Sequence, residues 1–444
     1  MNEFSRLTSL QNLAPIELAS DLDIQQWLTD EGTRVLFVSA PQLPMFDIRL
    51  SVAAGSCRDG DQPGAAFLTI SMLDEGATGL DAGQVAQAFE GTGALLQTHL
   101  GIDHATLSLR CLSEAAQRDS AVDTFARMVG QPSFPQASIP QVKGQCIDVL
   151  DAREQSPNYR LQRQIYQHLY AGHPYGYPRY GDRAGITALT REDLLAFHKQ
   201  HYSAPNVSIS LVGDLTLAEA RAIAAKISAR LPATPAVAPI QPPKRSEPEV
   251  LHVETDGGQL QVTLALPAIL RQSPDYAALT VANDIFGAGV HSRLYKELRT
   301  RHGLSYSPGS FLVYGMADGQ LAIHWQCAAQ YNRASQDRVE AMLKEFIANG
   351  PTLEELAQAK QRILSSSPLR IATNQAILAQ LATLNVFDLP LDTIKVFHRE
   401  VRALTLGGVN TAIRRNLDVR QLLYTSIGPD IEQVPLPPVP DMAG

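Results

Sequence analysis

The segment Ala188 to Asp214, ALTREDLLAFHKQHYSAPNVSISLVGD, decides the fold because its pattern recurs in the second half of the chain. In the first copy, ALT at 188–190 opens an amphipathic stretch that leads into an apolar strand pattern ending in Gly213. In the second copy, ALT at 403–405 opens another such stretch, which leads into LLYTSIGPD and Gly428. Both the openings and the glycines lie 215 positions apart. A spacing kept without insertion indicates an internal duplication.

Two further segments repeat with nearly the same spacing. The strand pattern HATLSLRCL contains Cys111, and the strand pattern QLAIHWQCA contains Cys327, 216 positions later. A long helical pattern follows each of them, as expected when one structural unit occurs twice. The sequence therefore predicts two homologous domains.

A proline-rich stretch separates the two halves. It runs from Leu231 to Pro248, LPATPAVAPIQPPKRSEP, and its X-Pro pairs disfavour both a helix and a central strand, which is typical of a linker. We predict an N-terminal domain over residues 1–230, a linker over 231–248 and a C-terminal domain over 249–444. The alternative is a long surface loop within one domain.

Strands and helices come in blocks within each half. RVLFVSA and FDIRLSVAAG are β-branched and alternating, which predicts two strands separated by a turn at 41–44. Helical patterns follow, several of them with Ser, Thr or Asp caps, at 63–73, 82–89, 114–128, 140–153, 159–170 and 191–201. The second half repeats the order, with strands EVLHVET and QLQVTLALP and helices at 276–286 and 292–301. This arrangement favours an α+β fold in which each half is a sheet layered with helices.

Composition excludes several classes of protein. With 444 residues, of which 45% are hydrophobic and 18% charged, the chain is typical of a globular protein and not of a coiled coil or a disordered segment. The net charge of −8 and the lack of a Lys/Arg run make nucleic acid an improbable partner. The four cysteines are far apart and form no C-x-x-C pair, so we interpret them as ordinary thiols.

The sequence also bears on the compartment. No apolar stretch is long enough to span a bilayer, and the start MNEFSRLTSLQNLAPIE lacks a basic region followed by an apolar one. We therefore expect a cytoplasmic chain, with the periplasm as the alternative if a signal peptide was removed.

The stretch Gly55 to Gly76, GSCRDGDQPGAAFLTISMLDEG, resembles the N-terminal signature of the pitrilysin/insulinase superfamily of inverzincins, in its mitochondrial-processing-peptidase branch. In active members the helix of this signature carries H-x-x-E-H, in which two His bind zinc and Glu activates water. Alignment on the Met-Leu ending places Phe67, Ile70 and Ser71 at those three positions. Neither Phe nor Ile has a lone pair for a metal, and a Ser hydroxyl is a poor ligand beside imidazole. We expect no cofactor in this chain.

Active members of the superfamily add a Glu ligand on a helix further along the chain. The matching helix here, PQVKGQCIDVLDAREQSP, offers Cys146, Asp148 and Asp151 but no Glu in its middle. We interpret Asp148 as a solvated acid on a helix face.

The stretch His291 to Phe311, HSRLYKELRTRHGLSYSPGSF, resembles the second signature of the superfamily. In that signature an Arg and a Tyr seven residues later point at the active site from the opposite domain. The resemblance assigns these catalytic and substrate-binding roles to Arg299 and Tyr306. A guanidinium and a phenol can both donate hydrogen bonds to a carbonyl oxygen that becomes negative. The alternative is a surface cation and a packing residue.

For the remaining candidate residues the sequence predicts ordinary structural roles. His198 and His201 form H-x-x-H without an acid between them, which favours packing at a helix end. His173, in HPYGYP, belongs to a loop expected to pack on its domain, with contact to a partner as the alternative. Phe286 to Gly289 has no preceding strand, Lys or Ser/Thr, so it indicates a turn and not a phosphate loop. Ser71 and Cys57 show no His partner, and neither is proposed as a nucleophile.

The resemblance spans nearly the whole chain and implies ferredoxin-like (α/β roll) domains in pairs, each a mainly antiparallel sheet layered with helices. It implies a non-zinc subunit, inactive alone, that pairs with an H-x-x-E-H homologue holding zinc and encloses a peptide. One alternative is an inert assembly homologue of the same fold. Another is a self-sufficient hydrolase with an unusual metal site around Cys57, Cys146 or Asp148.

Overall fold

The computed structural model describes residues 22–244, 247 and 249–437, and in them each half of the chain contributes one large sheet, beside a two-stranded sheet in the first half. The strands of the first half are β1 (Gln25–Leu28), β2 (Arg34–Ser39), β3 (Met45–Val52), β4 (Gly76–Ala77), β5 (Leu80–Asp81), β6 (Leu95–Leu100), β7 (Ala105–Leu112) and β8 (Val207–Gly213). Those of the second half are β9 (Val250–Glu254), β10 (Gln259–Pro267), β11 (Gly309–Tyr314), β12 (Gly319–Ala328) and β13 (Leu423–Gly428).

Helices cover the sheets. Those of the first half are α1 (Ala65–Ser71), α2 (Ala82–Thr92), α3 (Ala115–Gly130), α4 (Ile139–Glu154), α5 (Pro157–Leu169), α6 (Arg183–Ala188), α7 (Arg191–His201) and α8 (Leu217–Ser228). Those of the second half are α9 (Tyr276–Phe286), α10 (Arg293–Tyr295), α11 (Asn332–Asn349), α12 (Leu353–Ser366), α13 (Asn374–Val386), α14 (Thr393–Ala403) and α15 (Leu406–Asn416). A π-helix, Lys296–Arg301, continues α10.

The two sheets have the same strand order, which confirms the two homologous α+β domains expected from the repeat. In the described residues the first sheet runs β1-β2-β8-β3-β7-β6 and the second β11-β12-β10-β13-β9. Read from the other edge, the second sheet matches the first from β2 to β6. In each sheet one pair is parallel, β2 with β8 and β13 with β9, and the other neighbours are antiparallel.

The repeated glycines end the equivalent strands β8 and β13. Gly213 has φ +140° and Gly428 has φ +155°, a region that favours glycine. A Cβ on Gly213 would lie 2.5 Å from the carbonyl oxygen of Met45 in the neighbouring strand β3. The repeat in sequence therefore marks a close approach of two backbones.

Sequence patterns placed most elements correctly. Strand β10 matches its predicted range, and helix α9 coincides with the predicted 276–286. The predicted strands at the turn 41–44 exist as β2 and β3, but they do not pair with each other because β8 lies between them. That insertion brings residues about 170 positions apart together, which local patterns do not reveal.

The proline-rich stretch has neither helix nor strand in its described part, 231–244 and 247, and it is tied to the first half. Thr234 Oγ1 donates to the Lys199 carbonyl at 2.7 Å, and Val237 N donates to Asn206 Oδ1 at 2.8 Å. The segment that connects the two halves is therefore fixed to the first half by hydrogen bonds, and we call residues 231–244 the strap. The domain boundaries on either side of it stay a prediction.

Helices α5 and α13 occupy equivalent places in the two halves and are exchanged between them. Helix α13, from the second half, lies on β8, β3 and β2 of the first sheet. Helix α5, from the first half, lies on β13 and β10 of the second sheet. One face of each sheet is therefore covered by a helix of the opposite half.

Buried contacts make this exchange part of both cores. Leu381 on α13 is fully buried in one apolar cluster with Leu36 and Val212 of the first sheet. Asn385 Nδ2, also buried, donates to the Ile209 carbonyl at 3.0 Å and to Ser210 Oγ at 2.9 Å. On the other side, a second cluster joins residues of α5 to β13, namely Leu161, Ile165, Leu423 and Ile427.

We expect the two halves to unfold together, because each loses a covering helix when the other unfolds. Leu381→Ala should lower the free energy of unfolding by roughly 2–5 kcal/mol through lost burial and a cavity. The two tryptophans, Trp27 and Trp325, report on separate halves. Denaturation of the single-tryptophan variants Trp27→Phe and Trp325→Phe should give coincident transitions, both shifted by Leu381→Ala.

Leu353→Ala is the matched control, since Leu353 is 72% exposed and the same truncation there should change stability by less than about 0.5 kcal/mol. A shift confined to the transition seen at Trp27 would contradict the shared core.

Candidate functional site

The π-helix after α10 carries Arg299. Ser292 caps α10, because its side chain accepts a hydrogen bond from Tyr295 N at 3.2 Å. In the π-helix the His302 amide donates to the Glu297 carbonyl at 3.2 Å, five residues back, and Gly303 ends the turn at φ +61°. Isolated π turns concentrate at functional sites. The helix predicted over 292–301 is present, but its last turn is wider than an α-helical one.

Arg299 and Tyr306 are in direct contact. Arg299 Nη1 donates to the main-chain carbonyl of Tyr306 at 2.8 Å, and the guanidinium carbon lies 4.1 Å from the centre of the Tyr306 ring. The guanidinium also lies 5.2 Å from the Tyr295 ring, so two aromatic rings hold it. Tyr306 itself is 78% exposed. Arg299 therefore holds the main chain and the ring of Tyr306 in place, while the Tyr306 side chain remains exposed to solvent.

An ion cluster fixes the helix beneath the pair. The Glu297 carboxylate, which is nearly buried, accepts from Arg338 Nε at 2.7 Å and lies 3.4 Å from Arg301 Nη1. Burial would raise the pKa of Glu297, but the hydrogen bond and charge of Arg338, together with Arg301, hold it below its ordinary value. An ionised Glu297 thus anchors the turn that carries Arg299.

Tyr306 lies outside the strands of the second sheet. It lies in a bend, and β11 begins three residues later at Gly309. Pro308 stands between them and has no N–H for a strand ladder. The bend leaves the Tyr306 side chain outside the sheet.

The three zinc-motif positions on α1 are occupied by packing residues. Phe67 contacts the Tyr180 ring edge-on, with the ring centres 5.0 Å apart. Ile70 is 4% exposed in the first core, and Ser71 lies beside the buried thiol of Cys146 on α4. Burial raises the pKa of Cys146, so its sulfur stays protonated and is a poor metal ligand.

The zinc implied by the superfamily signature does not fit these residues. No group of three or more His, Cys, Asp or Glu side chains converges anywhere in the part of the chain that the structure describes. Asp148 is exposed on α4, as predicted, and Asp151 is paired with Arg183 at 2.6 Å. Helix α1 therefore keeps the place of the metal-binding helix without its ligands.

Asp59, in the loop before α1, has a structural role that the sequence analysis missed. Its carboxylate is almost fully buried and accepts hydrogen bonds from Gly64 N and Ala66 N, both at 2.8 Å. It thereby satisfies amides at the start of α1, which have no partner within the helix. Burial raises the pKa of Asp59 to about 7, against the lowering effect of those two bonds. The only signal of this role in the sequence was an Asp in a loop, five residues before Gly64, whose backbone adopts a left-handed conformation.

The lesser candidates have structural roles. His198 Nε2 bonds to the Val129 carbonyl at 2.7 Å, and burial lowers the pKa of both His198 and His201 to about 4. His173 Nε2 bonds to the Gln241 carbonyl at 2.8 Å, so its loop holds the strap. Gly287, in the predicted turn between helices, lies so close to Ser310 that a Cβ would come within 2.1 Å of its Oγ.

Comparison with known proteins gives the family. The model of insulinase (peptidase family M16) matches residues 34–183, and that of the peptidase M16 inactive domain matches residues 188–363. A solved peptidase M16 inactive domain from Pseudomonas fluorescens is 39% identical, covers 94% of this chain and 100% of its own, and has a TM-score of 0.90. The chain belongs to the M16 family.

Other relatives of this M16 chain are more distant. The non-peptidase homolog YmxG of Helicobacter pylori is 26% identical, over 88% of this chain and 91% of its own. An uncharacterized zinc protease of Mycobacterium bovis is 24% identical, over 96% of this chain and 97% of its own. In the described residues no helix is long and apolar enough to cross a membrane.

The Asp59 cap should make stability depend on pH. The pKa of about 7 in the folded chain lies above the unfolded value of about 3.9, so the contribution of Asp59 is full below that value and is lost as pH rises towards 7. Relative to Asp59→Asn, the free energy of unfolding should fall by roughly 2–3 kcal/mol between pH 5 and pH 8. Urea denaturation of both proteins at the two pH values measures this. Parallel pH profiles would show that Asp59 does not titrate in this range.

Proposed function

We propose that this M16 chain is the zinc-free subunit of a heteromeric zinc metallopeptidase. In this proposal it supplies Arg299 and Tyr306 to a peptide held by a homologous partner with H-x-x-E-H. The observation that carries the proposal is the contact between Arg299 and an exposed Tyr306. The Tyr306 ring is held by a guanidinium but stays largely exposed, so its burial contributes little to the stability of the fold. This favours a role in contacting another molecule.

The chemistry of the pair suits a carbonyl oxygen. Peptide hydrolysis builds negative charge on that oxygen, and preorganised donors stabilise it. Arg299 uses one N–H on the Tyr306 carbonyl, which fixes the bend, and a guanidinium has five N–H groups in all. The Tyr306 hydroxyl is the second donor. Zinc, the general base and the attacking water would all belong to the partner.

The names of the relatives support a chain that does not hydrolyse peptides alone. Residues 188–363 match a model described as an inactive domain, and one relative is named a non-peptidase homolog. Positions 67, 70 and 71 agree, since they carry neither a ligand set nor a base. The competing function is an inert assembly homologue, in which Arg299 would only fix the bend at Tyr306.

Reconstitution separates the two functions. The partner would be the H-x-x-E-H homologue that co-purifies with this chain from its native source, and a quenched fluorescent peptide would report turnover. Arg299→Ala and Tyr306→Phe should each lower kcat of the reconstituted pair by roughly tenfold to a hundredfold, because each removes a donor at the developing charge. Neither should change the elution volume of the complex.

Arg420→Ala and Tyr331→Phe are the matched controls and should leave turnover unchanged. Arg420 is highly exposed, and Tyr331 lies at the start of α11 against the second core. Unchanged turnover in the Arg299 and Tyr306 variants would favour the assembly homologue.

Metal analysis tests the absence of a zinc site in this chain. After incubation with zinc and gel filtration, the isolated chain should retain far less than one zinc per chain and should not hydrolyse the peptide. Stoichiometric zinc together with hydrolysis by this chain alone would instead support the self-sufficient hydrolase.

A further inference from the structure

A cleft lined by arginines and tyrosines lies beside helix α1. We call it the arginine–tyrosine cleft; its principal lining residues are Arg153, Arg163, Arg179, Tyr159, Tyr166 and Tyr180. Tyr180 connects it to α1, since the same ring contacts Phe67. The cleft has a cavity volume of about 60 Å³, which is enough for the few atoms of a carboxylate.

The cleft has an excess of positive charge. Arg163 is paired with Glu154, whereas no carboxylate of the described residues forms an ion pair with Arg153 or Arg179. The Arg153 guanidinium lies 4.1 Å above the Tyr180 ring, which orients it without neutralising it. The pKa of the nearby His99 is lowered by burial and then by Arg179 and Arg153, so both cations act on the same region.

The acid that follows the lining residue Ile102 is already engaged. Asp103 accepts a hydrogen bond from the Tyr175 hydroxyl at 2.5 Å and another from the Met316 amide at 3.1 Å. Each of its oxygens therefore already accepts a hydrogen bond, one from the first half of the chain and one from the second, and among the described residues Asp103 forms no ion pair with Arg153 or Arg179.

One polar group in the cleft is buried without a partner. The Tyr159 hydroxyl is excluded from solvent and makes no hydrogen bond with any described residue. Burial, and then the charge of Glu154, raises the pKa of Tyr159, so the group stays a neutral O–H donor. Buried donors almost always have acceptors, so this one is available to a ligand once a side-chain rotation turns it into the cleft.

We propose that the arginine–tyrosine cleft binds a carboxylate of a peptide, either its C-terminus or an acidic side chain. Arg153 and Arg179 supply the countercharges and Tyr159 the hydrogen bond. The biological setting rests on the proposed function, since the peptide would be the substrate enclosed with the partner. The binding itself needs neither the partner nor zinc. The cleft lies beside the α1 positions that have no metal ligands, and it would anchor one end of the peptide there.

Calorimetry on the isolated full chain tests the proposal with four versions of one peptide. They combine a Glu or a Gln near the end with a free or an amidated C-terminus. At least one carboxylate version should bind, and the version without either carboxylate should bind roughly tenfold more weakly. Loss of binding on amidation identifies the C-terminus as the ligand, and loss on Glu-to-Gln exchange identifies the side chain.

Variants locate the site. Arg153→Gln and Arg179→Gln should each weaken binding of the carboxylate peptide by roughly fivefold to tenfold, and Tyr159→Phe by roughly threefold. Arg179→Lys should recover part of the loss, because it keeps the charge but not the planar fork. Arg420→Gln, in the other half, makes the same charge change and should leave Kd unaltered.

Two results would overturn the proposal: equal binding of the peptide without either carboxylate, or equal losses for Arg420→Gln and Arg179→Gln. Arg153 is exposed, so its variant keeps the test valid even if Arg179→Gln fails to fold. Hydrolysis by the reconstituted pair is a separate readout. Carboxylate binding without a catalytic effect of Arg299 or Tyr306 would retain the cleft and reject the proposed function.

Discussion

The exchange of α5 and α13 is the constraint on which the rest of the structure depends. A sheet face left bare would expose a row of apolar side chains, and each half covers this face with a helix from the other. The turn that carries Arg299 and the helix that carries Phe67 belong to opposite halves. Because each exchanged helix packs in the core of the opposite half, the exchange fixes the position of the Arg299 turn relative to α1.

Helix α1 shows how the fold can exist without a metal. In an active relative this helix would place two imidazoles and a carboxylate side by side, an arrangement that zinc stabilises. Here Phe67 packs on Tyr180, Ile70 enters the core, and Ser71 lies beside Cys146. Each motif position now contacts a neighbouring residue of the first half, so α1 needs no ion.

The described residues include two sets of donors and cations, whereas positions 67, 70 and 71 of α1 carry no general base. Arg299 and Tyr306 form one such set, and the arginine–tyrosine cleft forms another beside α1. Donors of this kind bind and orient peptide oxygens, whereas cleavage also needs an activated water. This division is the basis of the proposed function, in which the chain holds a peptide and a partner cuts it.

The sequence by itself determined the duplication and the α+β class, since both follow from local spacing and periodicity. Its resemblance to the superfamily indicated the loss of the metal ligands and proposed Arg299 and Tyr306, whose roles stay a proposal. The contact of Arg299 with the Tyr306 carbonyl, the insertion of β8 between β2 and β3, and the exchange of helices were decided by the tertiary structure. The cleft also escaped sequence reasoning, because its arginines and tyrosines lie on separate elements. Periodicity reports which face of an element is apolar, but not which distant element covers it.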